Sequence, residues 1–113
     1  MTSHSAEKLP PDPGRRWVLR TVTPGHPEQT FRIVPGSIRT LGRATGADFI
    51  VDAALVSRVH CRLTVSPGGD LEVRDLESTN GTYVNGERIE AVRLSSGDHL
   101  QVGRVELVVA IET

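Results

Sequence analysis

Lysine is almost missing from this sequence: Lys8 stands alone, and the other twelve basic residues are arginines. Cysteine is nearly as scarce. Cys61 has no second thiol to join, which excludes an internal disulfide, and its company of Val59 and Leu63 marks it as a small buried hydrophobe. Aromatic residues are only 4% of the chain, so Val, Ile and Leu must fill the core, and these suit strands. An excess of charge of one sign is also lacking. The formal net charge is −1, which gives no broad field to draw nucleic acid or an anionic lipid surface; any bound anion must be held by a local cluster. No apolar stretch is long enough to span a membrane, and the first residues lack the basic-then-apolar pattern of a secretory signal. A soluble cytoplasmic protein is the expectation.

The 113 residues suffice for one domain with one core. Residues 1–14, with Pro10, Pro11 and Pro13 among Ser, Lys, Glu and Asp, read as a disordered leader, and residues 15–113 as the domain. From Arg16 on, short apolar runs recur between Gly, Pro, Asn and Asp. Strands are predicted at Trp17–Val22, Thr30–Val34, Ile38–Leu41, Phe49–Val51, Val59–Val65, Leu71–Asp75, Tyr83–Val84, Glu87–Ile89, His99–Val102 and Val105–Ile111. Turns are marked by Pro24-Gly25, Pro35-Gly36, Pro67-Gly68-Gly69, Asn85-Gly86 and Ser96-Gly97-Asp98. Asn85-Gly86 is the strongest of these, because both residues tolerate the positive φ that a two-residue hairpin needs. Many short strands without a helical period or an internal repeat point to an all-β sandwich or barrel. Alternation along Val59–Val65 puts Val59, Cys61, Leu63 and Val65 on the core face and turns His60 away from it. In the last strand Val105, Leu107, Val109 and Ile111 share one face.

Three segments offer chemistry. Gly42-Arg43 closes a strand and opens the polar loop through Thr45 and Asp48. Ser57-Arg58-Val59-His60 is a loop feeding a strand. Asp75 to Gly86 is dense in short polar side chains. Together they supply what a phosphate monoester needs: Arg43 and Arg58 as charge-assisted donors, Ser57 as a compact hydroxyl. Thr79 and Asn80 are short hydrogen-bonding residues suited to gripping an extended peptide beside the phosphate.

The ordered set Gly42-Arg43, Ser57-Arg58-Val59-His60, Ser78-Thr79-Asn80-Gly81-Thr82 and Asn85-Gly86 resembles the forkhead-associated (FHA) domain, and the likeness covers nearly everything after residue 14. The resemblance implies a sandwich of two twisted antiparallel sheets, with about ten or eleven short strands and loops at one end that bind phosphothreonine peptides. It implies phosphate contacts for Arg43 and Ser57, with Arg58 adding one from a flanking position. It implies peptide contacts for Thr79 and Asn80. Gly42, His60, Asn85 and Gly86 are implied as structural support of the loops. Thr45, Leu55 and Val56, with Ala53 and Ala54, border the expected peptide and are the candidates for partner choice. Apolar Leu55 suggests no demand for an acid three residues after the phosphothreonine. The expected partner is a phosphothreonine-containing protein, a Ser/Thr kinase or its substrate, bound by a monomer without cofactor.

Other classes fit less well. A Ser57–His60 hydrolase lacks a Gly-x-Ser-x-Gly elbow, and on one strand residues three apart face opposite sides. No Lys-Ser/Thr follows Gly42–Gly46 to make a nucleotide-phosphate loop. His4, His26, His60 and His99 have no metal-ligand spacing. A phosphate-independent interaction or oligomerisation module of the same fold is the alternative. Occupation of the site by a phosphorylated Thr2 of the same chain is disfavoured.

Overall fold

A computed structural model describes residue 12 and residues 14–112. It contains eleven strands: β1 (Arg16–Thr21), β2 (Thr30–Ile33), β3 (Ile38–Gly42), β4 (Phe49–Ile50), β5 (Cys61–Val65), β6 (Leu71–Asp75), β7 (Thr82–Val84), β8 (Glu87–Ile89), β9 (Ala91–Leu94), β10 (His99–Val102) and β11 (Val105–Glu112). They form a six-stranded sheet in the order β2-β1-β11-β10-β7-β8 and a five-stranded sheet in the order β4-β3-β5-β6-β9. The expected all-β sandwich is the observed architecture.

One buried cluster joins the two inner faces. Trp17, Leu19, Leu100, Val102, Leu107 and Val109 come from the six-stranded sheet, and Leu41, Cys61, Leu63, Leu71, Val73 and Leu94 from the other. Alternation along β11 is as expected, with Val105, Leu107 and Val109 buried. At full burial near 25 cal/mol per Å², a Leu or Val side chain contributes roughly 1.5–3 kcal/mol, so this aliphatic layer is the main source of stability. Trp17 adds a fixed point: its indole N–H donates to the Gly69 carbonyl at 2.8 Å, tying β1 to the turn between β5 and β6.

Several expectations are corrected. The sheets are not wholly antiparallel, because β3 and β4 run parallel through Leu41↔Phe49 and Gly42↔Ile50. β9 was not foreseen. Only Glu90 separates it from β8, so no turn signal marks its start, and of its four residues only Leu94 is fully buried. The strand foreseen from Val59 starts at Cys61, and this reverses two burial assignments. Val59 is 39% exposed and His60 is wholly buried. Alternation holds only within a ladder, and His60 precedes it. The Asn85-Gly86 hairpin formed as foreseen, with φ of 52° and 86°. Most of the expected leader lies outside the described residues. Of its last members, Asp12 donates its backbone N–H to the Gly68 carbonyl, and Gly14 donates to the Asp12 side chain.

Burial, with the nearby Asp75 charge adding to it, pushes the Cys61 thiol up to about 12. The thiolate is therefore scarce at neutral pH and the sulfur is inaccessible. A thiol-specific disulfide reagent is expected to leave Cys61 unmodified in the native chain and to label it fully in denaturant; rapid native labelling would contradict the burial.

Candidate functional site

Strand direction collects the polar loops at one end. β3 arrives there and hands over to Arg43, β4 arrives beside it and opens the 51–60 loop, β6 arrives and opens the 76–81 loop, and β5 and β7 leave. Between them is an open cleft of about 480 Å³ lined by Arg43, Ala54, Leu55, Val56, Ser57, Arg58, Thr79 and Asn80. Two arginines and three short polar residues line it, and no carboxylate does.

Arg43 is anchored twice. Its backbone N–H donates to the Ser57 carbonyl at 2.9 Å, and its Nε donates to the Val56 carbonyl at 2.9 Å. The terminal Nη atoms have no partner among the described residues, so the fork is held at its base and open at its tip. Gly42 is needed for this approach. A Cβ there would stand 2.0 Å from the Arg58 carbonyl oxygen. Any side chain would push the 57–60 loop away.

Ser57 Oγ accepts the Thr79 N–H at 3.0 Å, which leaves its proton for an acceptor in the cleft. Asn80 donates through Nδ2 to the Leu55 carbonyl at 3.0 Å and keeps Oδ1 and a second N–H for a ligand. Leu55 itself sits at φ 74°, a costly backbone for a side chain of this size, and is 46% exposed. Gly103, in the β10–β11 turn, lies against the Leu55 carbonyl, where a Cβ would come within 3.1 Å.

His60 joins the loops. Its Nδ1 accepts the Ser57 N–H at 3.0 Å, and its Nε2 donates to the Gly81 carbonyl at 2.8 Å. Its own N–H donates to the Leu41 carbonyl, and its carbonyl accepts from Leu76. The imidazole is thus the Nε2–H tautomer with both nitrogens occupied by backbone. It makes no bond to Ser57 Oγ.

A second brace was not foreseen. Asp75 Oδ1 accepts the hydroxyls of Ser78 and Thr82, its Oδ2 accepts the Ser78 N–H, and Ser78 Oγ accepts the Gly81 N–H. The spacing of Asp75 and Ser78, three apart at a strand end, was the available signal, since Asp bonds readily to backbone just ahead of it. Burial alone would raise the Asp75 pKa. The Ser78 and Thr82 hydroxyls, the Ser78 N–H and the nearby His60 outweigh it and hold the carboxyl below its usual range.

Of the expected specificity residues, Leu55 lines the cleft. Val56 also lines it, but its side chain is buried in the core and its carbonyl is occupied by Arg43. Thr45 is exposed on the 44–47 turn and does not line the cleft. Asn85 and Gly86 are brought nowhere near it. They close the far end of β7, where Asn85 Oδ1 accepts the His99 N–H and Nδ2 donates to Asp98. They support a loop at the opposite end of the sandwich.

The model for the FHA domain matches residues 39–103. The chain is 40% identical over 93 residues to the ABC transporter ATP-binding/permease protein Rv1747 of Mycobacterium tuberculosis, an alignment covering 82% of this chain and 10% of that protein. It is 40% identical over 67 residues to the glycogen accumulation regulator GarA of Mycolicibacterium smegmatis, covering 59% of this chain and 42% of that one. The chain thus spans a tenth of the first relative and less than half of the second. Among solved structures, Mycobacterium tuberculosis EmbR in complex with a low-affinity phosphopeptide superposes with a TM-score of 0.75 at 29% identity, covering 87% of this chain and 25% of that one.

Two outcomes test these braces. His60→Ala leaves the part-buried Ser57 N–H and the buried Gly81 carbonyl without partners, at about 1–3 kcal/mol for a fully buried group. Chemical unfolding is expected to show that loss, and a midpoint equal to wild type would remove the bracing role. For Asp75 the folded pKa lies below the unfolded one, so its stabilisation is complete above the usual carboxylate range and is lost as pH falls through the folded value. The stability gap between wild type and Asp75→Asn is expected to narrow on acidification; a gap constant with pH would refute the charge-dependent brace.

Proposed function

The chain belongs to the FHA domain family, and on that premise we propose that it recognises phosphothreonine in a partner protein and carries out no turnover. The observation that carries this reading is the open tip of Arg43, beside the free Ser57 proton and the Arg58 side chain in a cleft without a carboxylate. A phosphate monoester brings nearly two negative charges and three acceptor oxygens, and these three residues supply donors matched to it. A phosphoester carried on Cβ, as in phosphothreonine, brings the main chain close to the phosphate site, and Asn80, with Oδ1 and its remaining N–H, suits an extended peptide there. Thr79 borders that path, and Leu55 and Ala54 offer an apolar wall to flanking side chains.

Binding without turnover is supported by the role of His60. Both ring nitrogens are held by backbone groups, so His60 is not available as a base to take the Ser57 proton. Among the described residues, no group of His, Cys, Asp and Glu could hold a metal ion, and no helix is long and apolar enough to cross a membrane. On this reading residues 15–113 are the binding unit and residues 1–14 a leader. The partner is a cytoplasmic Ser/Thr kinase or its substrate, and the domain acts as a monomer.

A single peptide captured from cell extract, made with and without its phosphate, tests the proposal. Binding is expected only for the phosphorylated form. Arg43→Ala is expected to weaken it by about 2 kcal/mol or more, roughly thirtyfold, while the fold persists. Equal affinity for the two peptides would support the phosphate-independent alternative.

A further inference from the structure

The outer face of the five-stranded sheet carries a row of charge that the cleft does not use. β5 and β6 pair so that Arg62 stands opposite Arg74. Each alternates with buried residues, Cys61 and Leu63 on β5 and Val73 on β6, so both side chains leave the core on the same face. The row ends in Thr40 of β3 on one side and Ala91 of β9 on the other. None of these four paired positions holds an acid, and the carboxylate at the row's Thr40 edge is that of Asp48. Neither arginine has an ion pair among the described residues, where the pairs are those of Arg16 and Arg32 with Glu112 and of His99 with Glu106. Asp48, held beside Thr40, spends one carboxylate oxygen on the Thr40 N–H and hydroxyl.

The next row outward on the same face is built differently. There Glu72 stands between Thr64 and Arg93, an acid facing a base. Like charges directly opposite one another weaken a sheet, and the backbones here are only about 5 Å apart. The position of the row is equally specific. Cys61 begins β5 directly after the loop of Ser57 and Arg58, and Asp75 ends β6 directly before the loop of Thr79 and Asn80. Arg62 and Arg74 are one residue further in. The cationic row therefore adjoins the cleft, two arginines against the single Asp48 at its edge and neither of them ion-paired among the described residues.

We infer that Arg62 and Arg74 form a second anion-binding surface, taking carboxylate side chains of the partner that lie outside the cleft. This rests on the reading of the cleft as a phosphothreonine site. Each guanidinium presents a planar fork that matches a carboxylate. A surface pair of this kind, Arg62 half-buried and Arg74 exposed, adds little alone. Once the phosphothreonine is held, an acidic stretch tethered to it meets the row at high effective concentration. The partner is thus a phosphoprotein with an acidic segment beside its phosphothreonine, and one with a basic segment there is discriminated against.

Fluorescence-anisotropy titrations of the full chain test this with defined probes. One is a peptide pool with phosphothreonine between three randomised non-acidic positions on each side. The others carry the same pool joined through Gly-Gly-Ser-Gly to four aspartates, or to four asparagines, at either end. The aspartate tail at one end is expected to tighten binding at low salt by at least about fivefold, and the asparagine tail to do nothing. The gain is expected to vanish in the R62Q/R74Q double variant, whose affinity for the untailed pool stays that of wild type. No gain from either tail, or a gain that survives in the double variant, overturns the proposal. So does a lower thermal midpoint for that variant, since removing a repelling pair should leave the fold equally or more stable. The untailed pool without phosphate reads the cleft separately. If it binds as tightly as the phosphorylated pool, the cleft reading fails, and the tail measurements still decide the arginine row.

Discussion

The buried imidazole of His60 is the constraint on which the site depends. Two loops, 57–60 and 76–81, come from different strands and meet through the backbone where the Leu76 N–H donates to the His60 carbonyl. His60 lies between them and takes a donor from one and gives a donor to the other. The geometry suits a neutral imidazole, which carries one acceptor and one donor on opposite sides of a rigid ring. In a wholly buried position each bond also removes an otherwise unsatisfied backbone group. Around this tie the Asp75, Ser78 and Thr82 network fixes the second loop from beneath. The side chains that face the cleft are thereby set before any ligand arrives, which lowers the ordering cost of binding.

The same economy governs charge. The protein is almost neutral overall, yet its cleft is lined by two arginines and no acid. Asp75, which ends β6 just before the 76–81 loop, accepts three hydrogen bonds from Ser78 and Thr82 and is spent on bracing that loop, and Glu77 within the loop does not line the cleft. Arg43 gives Nε to the protein and leaves the rest of its fork outward. A doubly charged ester thus meets donors whose geometry is already supported, in a place where solvent still reaches to screen the excess positive charge when no ligand is bound.

How much of this was readable beforehand varies with the kind of information. The Asn85-Gly86 turn was legible because its requirement is local: both residues need positive φ, and few residue types accept it. The aliphatic alternation of β11 was legible because a ladder imposes it. β9 was not, since an edge strand with one fully buried residue and no turn before it leaves no periodic mark. His60 was placed on the wrong side because the alternation was extended two residues past the true start of β5. Its burial is dictated by Ser57 and Gly81, one of which is twenty-one residues away. The Asp75 network was half visible, in the spacing to Ser78, while the bond to Thr82 depended on how the loop closes.

The sequence by itself determined the all-β class, the main turns, the aliphatic core and the order of the motif residues. Each of these follows from local dihedral preference or from a period of two. Only the tertiary structure decided that Arg43, Ser57, Arg58, Thr79 and Asn80 share one cleft, that Asn85 and Gly86 stand at the other end, and that Arg62 faces Arg74. Those facts depend on strand direction and register, which are set when two sheets bury a common core and which no short stretch of chain contains.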